Sequence, residues 1–379
     1  MSKRYNFPEW LNKSKFDQYQ LEQIKEEIKS GLESGIDTSI YAKPEFNCDQ
    51  MRQIREGLES RLDVSIYAKP EFDDDQMYEI KEGLRKGLDV SIYANPDFNH
   101  EQMHEIRYGL ESKLDVSFYA DPKLNLWQMC EIKIGLENGI NVSPYAKPEF
   151  NCDQMRQIRE GLEAKLDISV YADPKFNLWQ MREIKKGLEN RIDASVYANP
   201  NFDESQMSQI RTGLEEGFDV SIYAKPEFEC YQMSQIREGL RNGIDVSIYA
   251  NSEFSWPQMQ EIRWGLENDI DASIYANPVF DIDQMEEIRE GLKEGLDASV
   301  YANPELSNEQ MAKIRLELKS IEQENSYLEK YTEPSDVEEI DESSEFLDYV
   351  DSVVEETKQE QQTLSEKRIK PIITQGEEH

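Results

Sequence analysis

The dipeptide Tyr-Ala falls at residues 41, 67, 93, 119, 145, 171, 197, 223, 249, 275 and 301, an unbroken spacing of 26 residues. A fixed period of that size leaves few folds open. Each unit is one supersecondary element that buries its apolar face only against its neighbours, so the units must stack. The 379 residues are therefore expected to form one array with a tail, not two or three independent globular domains.

Comparing the units with one another shows what the fold demands. Phe46 precedes Asn47, and Gln50 and Met51 follow three and four residues after the Asn. This is the pattern of a capping box with a hydrophobic staple, in which the Asn and Gln side chains satisfy free N–H groups at a helix start. Asp73/Gln76, Asn99/Gln102, Asn125/Gln128, Asp203/Gln206, Asp281/Gln284 and Ser307/Gln310 repeat it. Met51, Ile54 and Leu58 then recur at helical spacing, which predicts a first helix over about 48–60. Leu62 follows a residue that is often Gly, as at 87, 139, 217, 243 and 295, a helix-ending signal.

Asp63 and Ser65 introduce Val64-Ser65-Ile66-Tyr67-Ala68, which stops before Pro70. A short strand suits Val, Ile and Tyr. A helix of one or two turns is favoured, because Asp is a cap and the segment does not alternate. The fold class expected is thus all-α: an α-solenoid of eleven to twelve helix-pair repeats, each a long helix plus a short one, with a disordered acidic C-terminal tail. Residues 1–45 form an atypical first repeat in which Gly31-Leu32 arrives four residues late, consistent with one extra helical turn. Regular repeats occupy 46–318. Residues 319–379 hold 18 acidic and 6 basic residues, a composition that usually stays disordered. Within that tail, 346–354 and 367–373 stand out as two short pieces, either of which could be a linear motif that orders on binding, with ordinary tail the favoured reading.

Gly57 and its equivalents, Gly161 among them, sit inside the predicted helix. Helix-interior Gly costs about 1 kcal/mol relative to Ala, so the repetition implies close packing against the short segment or the adjacent repeat. Arg55, recurring as Lys81, Arg107 and Arg159 among others, places one cation in every repeat. A ladder that tracks phosphates is one reading. A structural ion-pair ladder with carboxylates such as Glu59 and Asp63 is favoured. Gly57, Gly161, Arg55, Arg159, Asp63 and Tyr171 are accordingly expected to be structural.

The net charge of −36 repels free nucleic acid and anionic membranes and attracts basic partners. No leader, membrane span or disulfide framework is expected, and a cytoplasmic location follows. No cofactor or metal is expected either. His100 and His104 stand four apart, but no third ligand accompanies them, so a solvated helix face is favoured over a metal site. No nucleotide, zinc-protease or serine-hydrolase motif occurs, and repeated polar clusters lack the uniqueness a catalytic site needs, so an enzyme is not expected. What varies among repeats is more informative. Trp127, Trp179, Tyr231 and Trp256 occupy the two slots after the helix cap, and Tyr78, Tyr108 and Trp264 place further aromatics outside the apolar stripe. These seven are candidate partner-binding anchors. For Trp127 and Trp179, packing on the neighbouring repeat's loop is weighed equally.

The pattern Tyr-Ala-(Asp/Asn/Lys)-Pro-x-Phe, then Gln-Met, Ile-(Arg/Lys), Gly-Leu-Glu and (Leu/Ile)-Asp-(Val/Ala)-Ser, resembles a repeat of uncharacterised bacterial proteins often associated with mobile elements and prophages. The resemblance covers residues 36–318, and it implies a bacterial or phage setting and nothing catalytic. The function expected is a non-enzymatic protein-protein interaction scaffold using an extended acidic surface, with a basic protein as partner and no direct nucleic-acid binding. The alternative is an acidic nucleic-acid mimic that inhibits a DNA- or RNA-binding protein.

Overall fold

The computed structural model describes residues 11, 13–16, 18–331, 348–350 and 352–353. The described residues form α-helices, 3-10 turns and connecting loops, with no strand among them. The long helices are α1 (Gln18–Glu33), α2 (Cys48–Glu59), α3 (Asp74–Arg85), α4 (His100–Glu111), α5 (Leu126–Glu137), α6 (Cys152–Glu163), α7 (Leu178–Glu189), α8 (Glu204–Glu215), α9 (Cys230–Arg241), α10 (Trp256–Glu267), α11 (Ile282–Lys293) and α12 (Asn308–Tyr331). Two units divide the chain, residues 1–189 and 190–379. Within the first, each helix from α1 to α7 packs on the next; within the second, α8 to α12 do the same. The α-solenoid is the fold of each.

One repeat explains the others. Asn47 accepts the Gln50 backbone N–H at 2.8 Å, and Gln50 Oε1 accepts the Asn47 N–H at 2.8 Å, so α2 begins on a complete capping box. The helix runs 12 residues and closes when Leu62 N–H returns to the Gly57 carbonyl at 2.9 Å. That closure needs a left-handed residue: Gly87 has φ +70°, and Arg61 holds the same place at φ +57°. Asp63 then accepts both the backbone N–H (3.1 Å) and hydroxyl (2.6 Å) of Ser65, starting the 3-10 turn Val64–Ile66. The short segment is therefore a single 3-10 turn. At 142–144, where Pro144 intervenes, the chain turns through the same Tyr145 N–H to Val142 carbonyl bond, 3.0 Å.

The core is the stripe Met51, Ile54 and Tyr67 and their equivalents, all fully buried. Leu58 departs from expectation: it is half-buried, and Gly57 takes the inward place one position earlier. α1 has 16 residues where α2 has 12, the extra turn expected of the first repeat.

At the other end α12 continues to Tyr331, beyond the boundary at 319 set by composition. The reason is that Glu317 replaces the helix-interior Gly, and the segment after it holds good helix formers. Tyr349, Val350 and Val353 are the described apolar residues of the 346–354 piece. Both valines are buried, and the Lys313 ammonium lies 5.2 Å from the Tyr349 ring centre, so this part of the tail rests on α12. The 367–373 piece and the rest of the expected disordered tail lie outside the described residues.

Candidate interaction surface

Each twelve-residue helix has two faces with different chemistry. At about 100° per residue, positions 3, 4, 7 and 10 point one way, while positions 2, 5 and 9 fall within about 60° of one another on the opposite side. The first set is Gln50, Met51, Ile54 and Gly57 in α2, all buried.

Gly57 has a specific task. A Cβ on it would stand 1.9 Å from the Tyr67 hydroxyl, and on Gly161 it would stand 1.8 Å from that of Tyr171. The hydroxyl donates instead to a helix carbonyl, Tyr67 to Gln53 and Tyr171 to Gln157, each at 3.1 Å. Close packing is thus with the short segment of the same repeat. Burial pushes these phenols well above their ordinary pKa, so they stay neutral donors.

The residue whose carbonyl receives the tyrosine also binds the next repeat through its side chain. Gln53 Oε1 accepts from Lys81 at 2.7 Å, and Glu79 pairs with Arg107 at 2.7 Å. Arg55 meets Glu27 of the preceding helix at 2.9 Å and Glu59 of its own at 2.8 Å. Arg159 does the same with Glu131 (3.0 Å) and Glu163 (2.8 Å). Asp63 is not part of this ladder: Ser65 takes its carboxylate and holds its pKa below the usual range. With side-chain exposures of 14% for Arg55 and 12% for Arg159, these cations are inside ion pairs and are not an open phosphate track. One repeat deviates. Lys185 turns to Glu160, and the buried Gln157 Oε1 has no hydrogen-bond partner in the structure.

Gln50 carries a role that sequence comparison missed. While its Oε1 completes the capping box, its Nε2 donates to the Phe72 carbonyl of the following repeat at 2.6 Å. Gln76 reaches Pro96 (3.2 Å) and Phe98, and Gln154 reaches Pro174 (3.0 Å) and Phe176 (2.7 Å). The signal was present as the invariance of Gln among repeats where Glu would also complete a capping box. An ionised Glu could only accept, whereas the Gln amide both accepts and donates.

The opposite face carries the variable residues. Trp127, Trp179 and Tyr231 take position 2, Tyr78 position 5, Tyr108 and Trp264 position 9, and Trp256 the adjacent position 1. All seven are exposed, from 40% for Trp256 and Trp264 to 69% for Trp127. Trp127 is 69% and Trp179 54% exposed, and Trp127 shares a groove with Asp97 and Asn99 of the preceding repeat's loop, so exposure and contact with a neighbouring loop coexist there. In the second unit Tyr231 and Trp256 meet with ring centres 5.9 Å apart and planes tilted by 40°. In the first unit several aromatics carry a cation: Lys81 over Tyr78 at 5.3 Å, Lys133 over Tyr108 at 4.9 Å and Arg182 over Trp179 at 5.1 Å.

Among the described residues no cluster of three or more His, Cys, Asp or Glu could hold a metal ion. His104 instead lies 3.3 Å from Glu79 and 3.0 Å from Arg107. Burial raises the pKa of the Cys48, Cys130 and Cys230 thiols, which opposes thiolate formation. No described helix is long and apolar enough to cross a membrane. No family model, no curated protein and no solved structure matches the chain.

Proposed function

We propose that the protein is a non-enzymatic scaffold whose outward helix faces bind a protein partner with a basic surface. The observation that carries this reading is the placement of Trp127, Trp179, Tyr231, Trp256, Trp264, Tyr108 and Tyr78 at exposed positions of a frame whose inward positions barely vary. Exposed Trp and Tyr lose water cheaply and anchor interfaces. The chain's net charge of −36 favours cationic partners and steers their approach. A bacterial or phage-encoded, cytoplasmic setting accompanies the reading, on the resemblance of the repeat.

Affinity purification from the source cell, with wild type beside a variant carrying Ser at all seven positions, tests it. A specific protein recovered by the wild type and lost by the variant is the expected result. Equal recovery by both removes the aromatic face from the account. The same charge favours a second reading, an acidic mimic that fills the groove of a nucleic-acid-binding protein. Salt separates the two. A mimic's complex weakens steeply with ionic strength and is displaced by DNA or RNA, whereas an aromatic-anchored complex is far less sensitive.

A further inference from the structure

Trp127 and Trp179 form a natural comparison within the first unit. The segments that carry them, residues 121–129 and 173–181, differ only in Leu124 against Phe176. Both indoles sit at position 2 of their helices, and the preceding repeat offers a carboxylate at the same position, Glu101 for one and Asp153 for the other. The difference lies three residues on. Arg182 follows Trp179 and sets its guanidinium 5.1 Å from the ring centre, while Cys130 follows Trp127. Among the described residues no cation stands over the Trp127 ring, and it is the more exposed of the two, 69% against 54%.

Trp127 also closes a groove with Asp97, Glu101, Pro122, Lys123 and Leu126. The two carboxylates and the Lys123 ammonium leave its rim acidic by one charge. We propose that this groove receives an arginine side chain of the protein partner. The guanidinium would stack on Trp127 as Arg182 stacks on Trp179, with Asp97 and Glu101 as its carboxylate neighbours. Guanidinium is the chemistry the sibling site displays: planar, weakly hydrated and able to face an indole while bonding carboxylates. In α7 the chain places its own guanidinium over the indole, while Asp153 pairs with Arg156 at 3.5 Å; in α5 the indole is left to a partner. The inference rests on the scaffold reading and gives it a chemical class of contact.

The test uses full-length protein labelled with 5-fluorotryptophan, each 19F signal being assigned by a single Trp→Phe change. The probe is the peptide acetyl-Gly-Arg-Gly-Arg-Gly-amide near physiological salt, with its citrulline counterpart as the neutral control. The Trp127 signal is expected to shift saturably with the arginine peptide and not with citrulline, while Trp179 stays still. Cys130→Arg, checked for folding by circular dichroism, places a guanidinium over the Trp127 ring as Arg182 does over Trp179, and should weaken the Trp127 response about tenfold. Arg182→Ala leaves Trp127 responsive and makes Trp179 respond too, so the idea remains testable if the first variant does not fold. A Trp127 signal that stays still while other tryptophans move, or that moves equally with citrulline or in Cys130→Arg, overturns the site and leaves the scaffold standing. Silence of every tryptophan toward the arginine peptide overturns the site and the basic-partner reading together.

Discussion

The inward and outward faces of one helix obey different rules, although they are built from adjacent residues. Inward, Gln, Met, Ile and Gly recur because each meets a partner of fixed shape: a loop carbonyl of the next repeat, the core, or a tyrosine hydroxyl with no room for a methyl group. Outward, positions 2, 5 and 9 meet water, and the sequence there changes from Asp to Trp and from Arg to Tyr. Stacking repeats fixes one face and frees the other. A protein built this way can alter what it binds without altering how it folds.

The contrast breaks most visibly at Gly161. Gly161→Ala would place a Cβ 1.8 Å from the Tyr171 hydroxyl, forcing a buried ring to move at a cost of about 3 kcal/mol or more. Its unfolding midpoint should fall sharply, and adding Tyr171→Phe should recover part of the loss by removing the clashing oxygen. A double variant no better than the single one would show that the hydroxyl is not what excludes the methyl. Tyr171→Phe alone gives up one buried hydrogen bond and should cost about 1 kcal/mol in denaturant unfolding.

A smaller effect sharpens the picture of the caps. Asp167 is held below its ordinary pKa by the Ser169 hydroxyl and backbone N–H. A depressed carboxylate stabilises above its unfolded pKa, about 3.9, and that contribution disappears as pH falls through the folded value. Asn141 makes the same two bonds to Ser143, at 3.2 and 2.8 Å, so Asp167→Asn preserves the geometry and removes the titration. Melting temperatures followed from pH 6 to pH 2 should show the wild-type advantage present at the upper end and gone at the lower. An advantage that persists at pH 2 would assign it to something other than the charge.

Much of the inward face was legible in the sequence because its determinants are local. Asn47 with Gln50, and Asp63 with Ser65, lie within three residues of each other, and their spacing carries their geometry. The helix-interior Gly57 announced a close approach by costing stability without a visible return. The short segment was one of the two neighbours expected for it, but that the Tyr67 hydroxyl is what meets it was not legible, since Tyr67 returns only after the chain turns at Asp63. The link from Gln50 to Phe72 was hidden for the same reason, lying 22 residues away, and the capping box already gave Gln50 a sufficient role.

Ion pairing followed the same division. Glu59, four residues from Arg55, was recognised, while Glu27, 28 residues before it, was not. Asp63 was assigned to Arg55 by proximity in sequence, yet the nearer Ser65 claims it. Trp127 was identified as variable, but whether it faced solvent or a neighbouring loop depended on how repeats stack, which residue spacing alone does not fix. α12 runs on past 319 because acidic composition and helix propensity are compatible there.

Trp127 and Gln128 of α5 place the two faces one residue apart. Trp127 is 69% exposed, while Gln128 is 5% exposed, caps its own helix through the Asn125 N–H, and donates to the Pro148 and Phe150 carbonyls of the next repeat at 3.2 and 2.6 Å. The decisive measurement is denaturant unfolding of Trp127→Ala and Gln128→Ala side by side. Gln128→Ala should cost roughly 2–4 kcal/mol, because buried carbonyls and a helix start lose their partner together. Trp127→Ala should stay within about 0.5 kcal/mol of wild type. Equal losses, or a larger loss at Trp127, would contradict the division between a face that builds the repeat and a face that is free to bind.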